Sequence, residues 1–207
     1  MNKNSKNNTI ITVGRIFSEQ KNTELFLDIV SSVDLKDWKV LLAGPLESGE
    51  CDGALKAEDF FKERPDLRGK VEFCGNIADP LLLRAMLLGA KVFLFTSRYE
   101  SFCIALIEAA AAGNYIISTN VGCAEEIVCG AGNGFVLPRS REGEQDEEAV
   151  KAVAAAHLRS IIDGGTDASG MSEAQAEYIF KNYAMSNIVK NKCFVNFFRS
   201  SQEAGCE

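Results

Sequence analysis

The sequence is poor in the groups that serve acid–base and metal chemistry. Its single histidine, His157, sits in an Ala-rich stretch, Ala154-Ala155-Ala156-His157. A histidine-based catalytic pair has no partner there, and His157 reads as structural. The seven cysteines (Cys51, Cys74, Cys103, Cys123, Cys129, Cys193 and Cys206) form no C-x-x-C pair, so their spacing suggests neither a zinc site nor a redox dithiol. No Asp-x-Asp pair is present, the spacing by which many sugar-nucleotide enzymes hold a divalent metal, so no metal is expected. A Walker A loop is also missing, which removes the P-loop nucleotidases. After the first apolar run the chain reads Gly14-Arg15-Ile16-Phe17-Ser18, not G-x-G-x-x-G, so dinucleotide oxidoreductases lose their main support. No run reaches transmembrane length, and the polar start Met1–Asn8 has no apolar signal region. A cytoplasmic chain is expected, with a peripheral place at the inner membrane face open to the full-length protein.

What is present is an acidic chain with ordinary core content. Net charge is −7 and 46% of the 207 residues are hydrophobic. Such a balance argues against nucleic acid as a partner, which needs clustered Lys and Arg, but leaves room for a small anion held by local cations. Short apolar runs alternate with helix-like stretches. Strands are expected at 9–13, 39–43, 70–74, 92–96, 115–118 and 134–137, with helices at 22–33, 54–63, 80–88 and 101–112. Asp79 before Pro80 is a helix start, with Asp as cap and Pro in the first turn. The order implies an α/β fold with a doubly wound, mostly parallel six-stranded sheet, its core at about 9–138. An acidic run, Glu142–Glu148, reads as a solvated loop and helix start. Further helices are expected at 147–162, 172–181 and 186–198, forming a helical part over about 145–200. The Gly130-Ala131-Gly132-Asn133-Gly134 run reads as a turn before the last strand.

Ligands of such sheets bind at the carboxyl ends of the strands. Gly14 and Arg15 end the first strand, and Lys21 stands at the next helix start. Two cations beside free helix amides make a diphosphate clamp, although surface charges near a cap would look the same. The stronger signal lies between Phe95 and Gly113. Glu100 and Glu108 flank the first two turns of a helix otherwise apolar enough to be buried, and a buried Glu108 would need a partner. Their separation on a helix, roughly 12 Å at ~1.5 Å per residue, is too long for a glycosidase pair at about 5–9.5 Å. It suits an elongated ligand whose anionic middle faces the helix start.

Glu100-x7-Glu108, Gly14-Arg15, Lys21-Asn22, the Val71–Gly75 strand and Glu126-Ile127-Val128 resemble the retaining family 4, or group 1, glycosyltransferases, over about Thr9 to Pro138. The resemblance implies the Rossmann-like C-terminal half of a GT-B fold, binding a UDP- or GDP-sugar as substrate with no separate cofactor. By similarity, Arg15 and Lys21 neutralise the departing diphosphate, Glu100 holds donor-sugar hydroxyls and Glu108 the ribose. Backbone near Ile77 meets the base, and amides at Phe102, Cys103 and Ile104 face the phosphate or sugar. Arg15, Lys21 and Glu100 are the candidate catalytic residues of a hexosyltransferase-type enzyme in polysaccharide or glycoconjugate synthesis. Complete members carry an N-terminal acceptor domain. Residues 1–207 are therefore expected to be a single nucleotide-sugar-binding domain without it, inactive in isolation. Two other readings stay open: a non-catalytic nucleotide-sugar-binding module, and half of a sugar-nucleotide epimerase. Ser101 and Cys103 stand where the family usually has glycine, and Cys123 where a second glycine commonly follows Gly122.

Overall fold

A computed structural model describes residues 6–47, 52–138, 147–168 and 173–183. In chain order these form β1 (Asn7–Val13), α1 (Thr23–Ser31), β2 (Lys39–Ala43), α2 (Gly53–Glu63), β3 (Val71–Gly75), α3 (Pro80–Gly89) and β4 (Ala90–Phe95). Then come α4 (Ile104–Ala111), β5 (Tyr115–Ser118), α5 (Ala124–Ala131), β6 (Gly134–Val136), α6 (Glu147–Ile162) and α7 (Glu173–Tyr183). The helix expected at 186–198, most of the acidic run before Glu147, and Cys51, Cys193 and Cys206 lie outside the described residues.

The six strands form one sheet in the order β3-β2-β1-β4-β5-β6, and every pairing is parallel. Successive strand residues point to opposite faces, so each strand feeds two cores. Ile10, Val92, Leu94 and Ile117 face one core with Leu25, Phe26 and Ile29 of α1 and Ala154, Leu158 and Ile161 of α6. Ile11, Phe93, Phe95 and Ile116 face the other, against Leu87 of α3, Leu106 and Ala109 of α4, Ile127 of α5 and Ile179 of α7. Burial on both faces explains why β4 is a continuous apolar run. This is the Rossmann-like, doubly wound α/β architecture expected from the strand–helix alternation.

Local chemistry sets the boundaries. The Asp52 and Asp79 carboxylates accept from the amides of Ala54 at 2.9 Å and Leu81 at 2.8 Å, capping α2 and α3. At the other end of α3, the buried Asn114 amide donates to the carbonyls of Leu87 at 2.9 Å and Ala90 at 2.7 Å. The helix α5 is a correction to the turn expected across Gly130 and Ala131. Gly130 lies within it because the Tyr178 ring of α7 packs there: a Cβ at residue 130 would fall 2.0 Å from Tyr178 Cζ.

His157 stacks on Phe135 with ring centroids 4.3 Å apart, and its Nε2 lies 2.8 Å from the Tyr115 hydroxyl. Desolvation in this packing lowers its pKa from the ordinary 6.5. The unfolded chain then binds the proton more readily than the folded one. This contribution is fully present above the unfolded-state value and is lost as the pH falls through the folded-state value. Replacing His157 by Phe keeps the stacking but removes the titration. The fall in melting temperature between about pH 7 and about pH 5.5 should shrink in His157→Phe, and an unchanged fall would place the acid sensitivity elsewhere.

Candidate functional site

In this strand order, β1 and β4 are neighbours, but the chain leaving β1 runs to β2 on one side and the chain leaving β4 runs to β5 on the other. The two connections diverge and leave a crevice at the carboxyl ends of the strands. Its floor is close-packed backbone. The Gly14 amide donates to the Ala43 carbonyl at 3.0 Å. Gly44 has φ +145°, and a Cβ there would lie 1.7 Å from the Gly14 carbonyl oxygen, so only glycine fits.

The 14–22 loop holds two non-glycine residues at positive φ, Phe17 at 67° and Asn22 at 49°. Such backbone persists only where the surroundings over-determine it. Here the Phe17 amide donates to Thr23 Oγ1 at 2.7 Å, and its ring stacks on Phe73 at 5.6 Å. Thr96 Oγ1 donates to the carbonyls of Lys21 at 3.1 Å and Asn22 at 3.0 Å. The Arg98 amide donates to the Gln20 carbonyl at 2.9 Å, and Gln20 Nε2 to the Tyr99 carbonyl at 3.1 Å. Glu147 Oε1, at the start of α6, accepts from both Asn22 Nδ2 at 2.9 Å and Arg98 at 2.8 Å. The loop after β1 is thus tied to the loop after β4, and α6 is tied to both.

These ties bring Lys21 against Glu100. Lys21 Nζ lies 2.5 Å from Glu100 Oε1, with the side chains only 18% and 10% exposed. Ser97 Oγ donates to the same carboxylate oxygen at 3.0 Å, and the Lys21 ammonium sits 4.9 Å from the Phe95 ring centroid. The family resemblance implies separate tasks for these two residues, at the diphosphate and at the sugar; the fold joins them as an ion pair. Arg15 is different. Its side chain is 53% exposed, 3.6 Å from Glu47, and donates to Gln20 Oε1 at 2.7 Å. Gln20 and Ser97 were not singled out from the sequence, because their importance lies in contacts across the crevice.

Two expectations about the next helix need correction. It begins at Ile104, not near Ser101, so Glu100 lies in the loop before it and the helical spacing argument for the two glutamates does not hold. Glu108 is exposed rather than buried. The reason is the helical period: Leu106, Ala109 and Ala110 turn inward, leaving Ile104, Glu108 and Ala111 on the outer side. Just before the helix, Cys103 adopts left-handed backbone, φ 58° and ψ 56°, with its side chain buried. Phe102 and Ile104 beside it are 46% and 65% exposed. The first amides of α4 have no partner within the helix, as at any helix start.

Three hollows adjoin along this edge. The first, about 360 Å³, is lined by Lys21, Glu100, Phe102 and Cys103. The second, about 310 Å³, is lined by Gly14, Arg15, Lys21 and Ile77, and ends at Leu83. The third, about 370 Å³, lies between α3 and α4 and is lined by Leu83, Arg84 and Glu108. Lys21 belongs to the first two, and Leu83 to the second and third. Gly14, Arg15, Lys21, Ile77, Glu100, Phe102, Cys103, Ile104 and Glu108 therefore line a row of adjoining hollows, with Glu100 in the first, Arg15 and Lys21 in the second, and Glu108 beside Arg84 in the third.

A family model described as glycosyl transferases group 1 matches residues 1–160. The chain belongs to that family. Among curated proteins it is similar to a phosphatidylinositol N-acetylglucosaminyltransferase subunit from Arabidopsis thaliana, 28% identical over 120 residues, 58% of this chain and 26% of that protein. The gpi3 subunit of the same-named transferase from Schizosaccharomyces pombe is 26% identical over 130 residues, 63% of this chain and 27% of that one. The matches thus span about a quarter of these relatives' length. Among solved structures, sucrose-phosphate synthase from Thermosynechococcus elongatus superposes with a TM-score of 0.71 at 24% identity, covering 99% of this chain and 47% of that one. The pneumococcal O-GlcNAc transferase GtfA, solved with UDP and GlcNAc, gives 0.69 at 18% identity, covering 100% and 37%. These likenesses establish the GT-B-type fold of this group 1 glycosyl transferase chain. Among its described residues no helix is long and apolar enough to cross a membrane.

The Lys21–Glu100 pair is well enough shielded for its loss to register in stability. Removing one partner strands the other charge, so Lys21→Met should cost about 3 kcal/mol, with Glu100→Gln costing less because Ser97 can still bond the amide. The double variant should recover part of the loss. Denaturant melts of the four proteins measure the coupling, and strictly additive costs would show that the pair contributes nothing.

Proposed function

We propose that this chain is the donor-binding part of a retaining family 4 glycosyltransferase that moves a hexose from a nucleotide-diphosphate sugar to an acceptor, without a metal. The observation that carries the reading is the row of three adjoining hollows, with Glu100 in the first, Arg15 and Lys21 in the second and Glu108 in the third. A sugar–diphosphate–nucleoside offers the matching kinds of group: sugar hydroxyls, an anion and ribose hydroxyls. The sugar lies by Glu100 and Phe102, the diphosphate by Arg15, Lys21 and the α4 amides, the base by Ile77, and the ribose by Glu108.

The chemistry assigned to these residues is electrostatic. As the bond between the sugar and the diphosphate breaks, negative charge grows on the departing phosphate, and Lys21 and Arg15 are placed to stabilise it. The free form keeps Lys21 paired with Glu100 at 2.5 Å. A bound donor inserts a phosphate beside the ammonium and a hydroxyl beside the carboxylate, so each charge exchanges its partner for one on the ligand. A shielded pair of this kind holds both groups in place before binding, at little cost in reorganisation. The same reading assigns the whole protein to polysaccharide or glycoconjugate synthesis, as a cytoplasmic or peripheral enzyme.

Titration with UDP, GDP and the corresponding UDP- and GDP-sugars tests the proposal. Binding should persist in EDTA; abolition by EDTA would remove the metal-free claim. Glu108→Gln should weaken nucleoside diphosphate and nucleotide sugar alike, by roughly tenfold to a hundredfold, the worth of a hydrogen bond to a charged group. Glu100→Gln should weaken only the sugar-bearing ligand, and bare diphosphate should bind as well as before or better, because Lys21 is released. Normal diphosphate binding by folded Glu108→Gln would sink the ribose assignment. Arg15→Ala should weaken both ligands, with a smaller deficit at high salt because the guanidinium is exposed.

A further inference from the structure

Cys103 and Cys123 are twenty residues apart in sequence and share no spacing motif, yet the fold packs their two turns against each other. Cys103 precedes α4, Cys123 precedes α5, and both are buried. Each thiol reaches into the other's turn: Cys123 Sγ donates to the Phe102 carbonyl at 2.9 Å, and Cys103 Sγ to the Val121 carbonyl at 3.7 Å. The Cys103 sulfur packs directly over the Gly122 backbone, where a Cβ at residue 122 would fall 2.6 Å from it. That Cβ would also be 3.3 Å from Glu100 Cβ, so the two turns enclose Glu100. Cys103 lines the Glu100–Phe102 hollow, which opens to solvent.

We propose that Cys103 and Cys123 form a reversible redox dithiol whose oxidation to a disulfide alters the sugar end of the trough. The pair is electronically asymmetric. The neighbouring Cys103 thiol holds the pKa of Cys123 below that of an ordinary thiol, while Cys123 and burial raise that of Cys103. With hydrogen peroxide as oxidant, the thiolate attacks one peroxide oxygen; the S–O bond forms, the O–O bond breaks and hydroxide leaves. The second thiol then attacks the sulfenic sulfur, so that the S–S bond forms and the S–O bond breaks. The sulfenic oxygen departs as water, carrying the thiol proton. Two electrons pass from the pair to the peroxide. A low-molecular-weight thiol reverses the change by disulfide exchange. Closing a bond of about 2.0 Å between the sulfurs draws the 101–103 and 121–123 turns together and shifts the wall that carries Glu100 and Phe102. The effect on ligand rests on the nucleotide-sugar reading above; formation of the bond does not.

The test treats the full chain with hydrogen peroxide, maps its disulfides by peptide mass spectrometry, and titrates UDP and UDP-glucose before and after. A Cys103–Cys123 cross-link that dithiothreitol removes is expected. In the oxidised form UDP-glucose should bind roughly tenfold more weakly while UDP is little changed, a coupling of ordinary allosteric size. Cys103→Gly removes one thiol and suits the left-handed backbone at that position, so it should fold and its ligand binding should no longer respond to peroxide. Over-oxidation of either cysteine to the sulfinic acid without a cross-link would overturn the dithiol assignment. A cross-link that leaves the UDP-glucose affinity unchanged would overturn the regulatory role. If the cross-link forms but the reduced chain binds no nucleotide, the dithiol stands and the nucleotide-sugar reading falls.

Discussion

The adjacency of β1 and β4 in a parallel sheet is the constraint from which the site follows. Neighbouring strands whose connections leave in opposite directions cannot close over their own carboxyl ends, so a crevice remains there. The loop after β1 and the loop after β4 must then be fastened to each other across it. Thr96, Arg98 and Gln20 do this largely through main-chain groups, which sets the position of Lys21 regardless of its own side-chain contacts. The Lys21–Glu100 ion pair follows from that fastening. The strained backbone of Phe17 and Asn22 belongs to the same arrangement, because a relaxed loop would not carry Lys21 to β4.

Electrostatics makes the proposed anion site compatible with a chain of net charge −7. The field that matters is local. Arg15 and Lys21 sit at the centre of the trough, with the α4 amides beside it. The nearby carboxylates are not idle: Glu100 is held by Lys21 and Ser97, and Glu147 by Arg98 and Asn22. Arg15 and Lys21 differ in kind. Arg15 is exposed and tethered through Gln20, so it can swing; Lys21 is shielded and held over Phe95.

The cysteines before α4 and α5 show how a departure from a family's pattern acquires physical content. The resemblance to group 1 glycosyltransferases leads one to expect glycine at residue 103, and the backbone there is in fact left-handed, at φ 58°. A side chain in that conformation bears a steric cost, which its contact with the other cysteine helps to offset. The thiol fills the space over Gly122 that a second side chain could not share. A ligand backbone approach that glycine would permit is here traded for a sulfur wall.

Much of the architecture was legible in the chain itself, because burial on both faces leaves its mark on composition. The apolar run Val92–Phe95, the cap Asp79-Pro80 and the breaks after Val13 and Ala43 locate their elements to within a residue or two. Of the residues that carry the family resemblance, Gly14, Arg15, Lys21, Glu100 and Glu108 line adjoining hollows. The helix α5 was not legible, since its Gly130 is explained only by a ring from α7. Nor was the exposure of Glu108: an apolar neighbourhood in sequence says nothing about which side of a helix meets solvent when the partner helices are unknown. The sequence alone determined the alternation of strands and helices, the type of sheet and the residue types available for a diphosphate clamp, all of which depend on local periodicity and turn chemistry. Only the tertiary structure decided that Lys21 pairs with Glu100, that three hollows adjoin along one edge and that the turn at Cys103 packs on the turn at Cys123. Those contacts link residues 20 to 79 positions apart, and their geometry depends on strand order and on how the connecting loops are fastened.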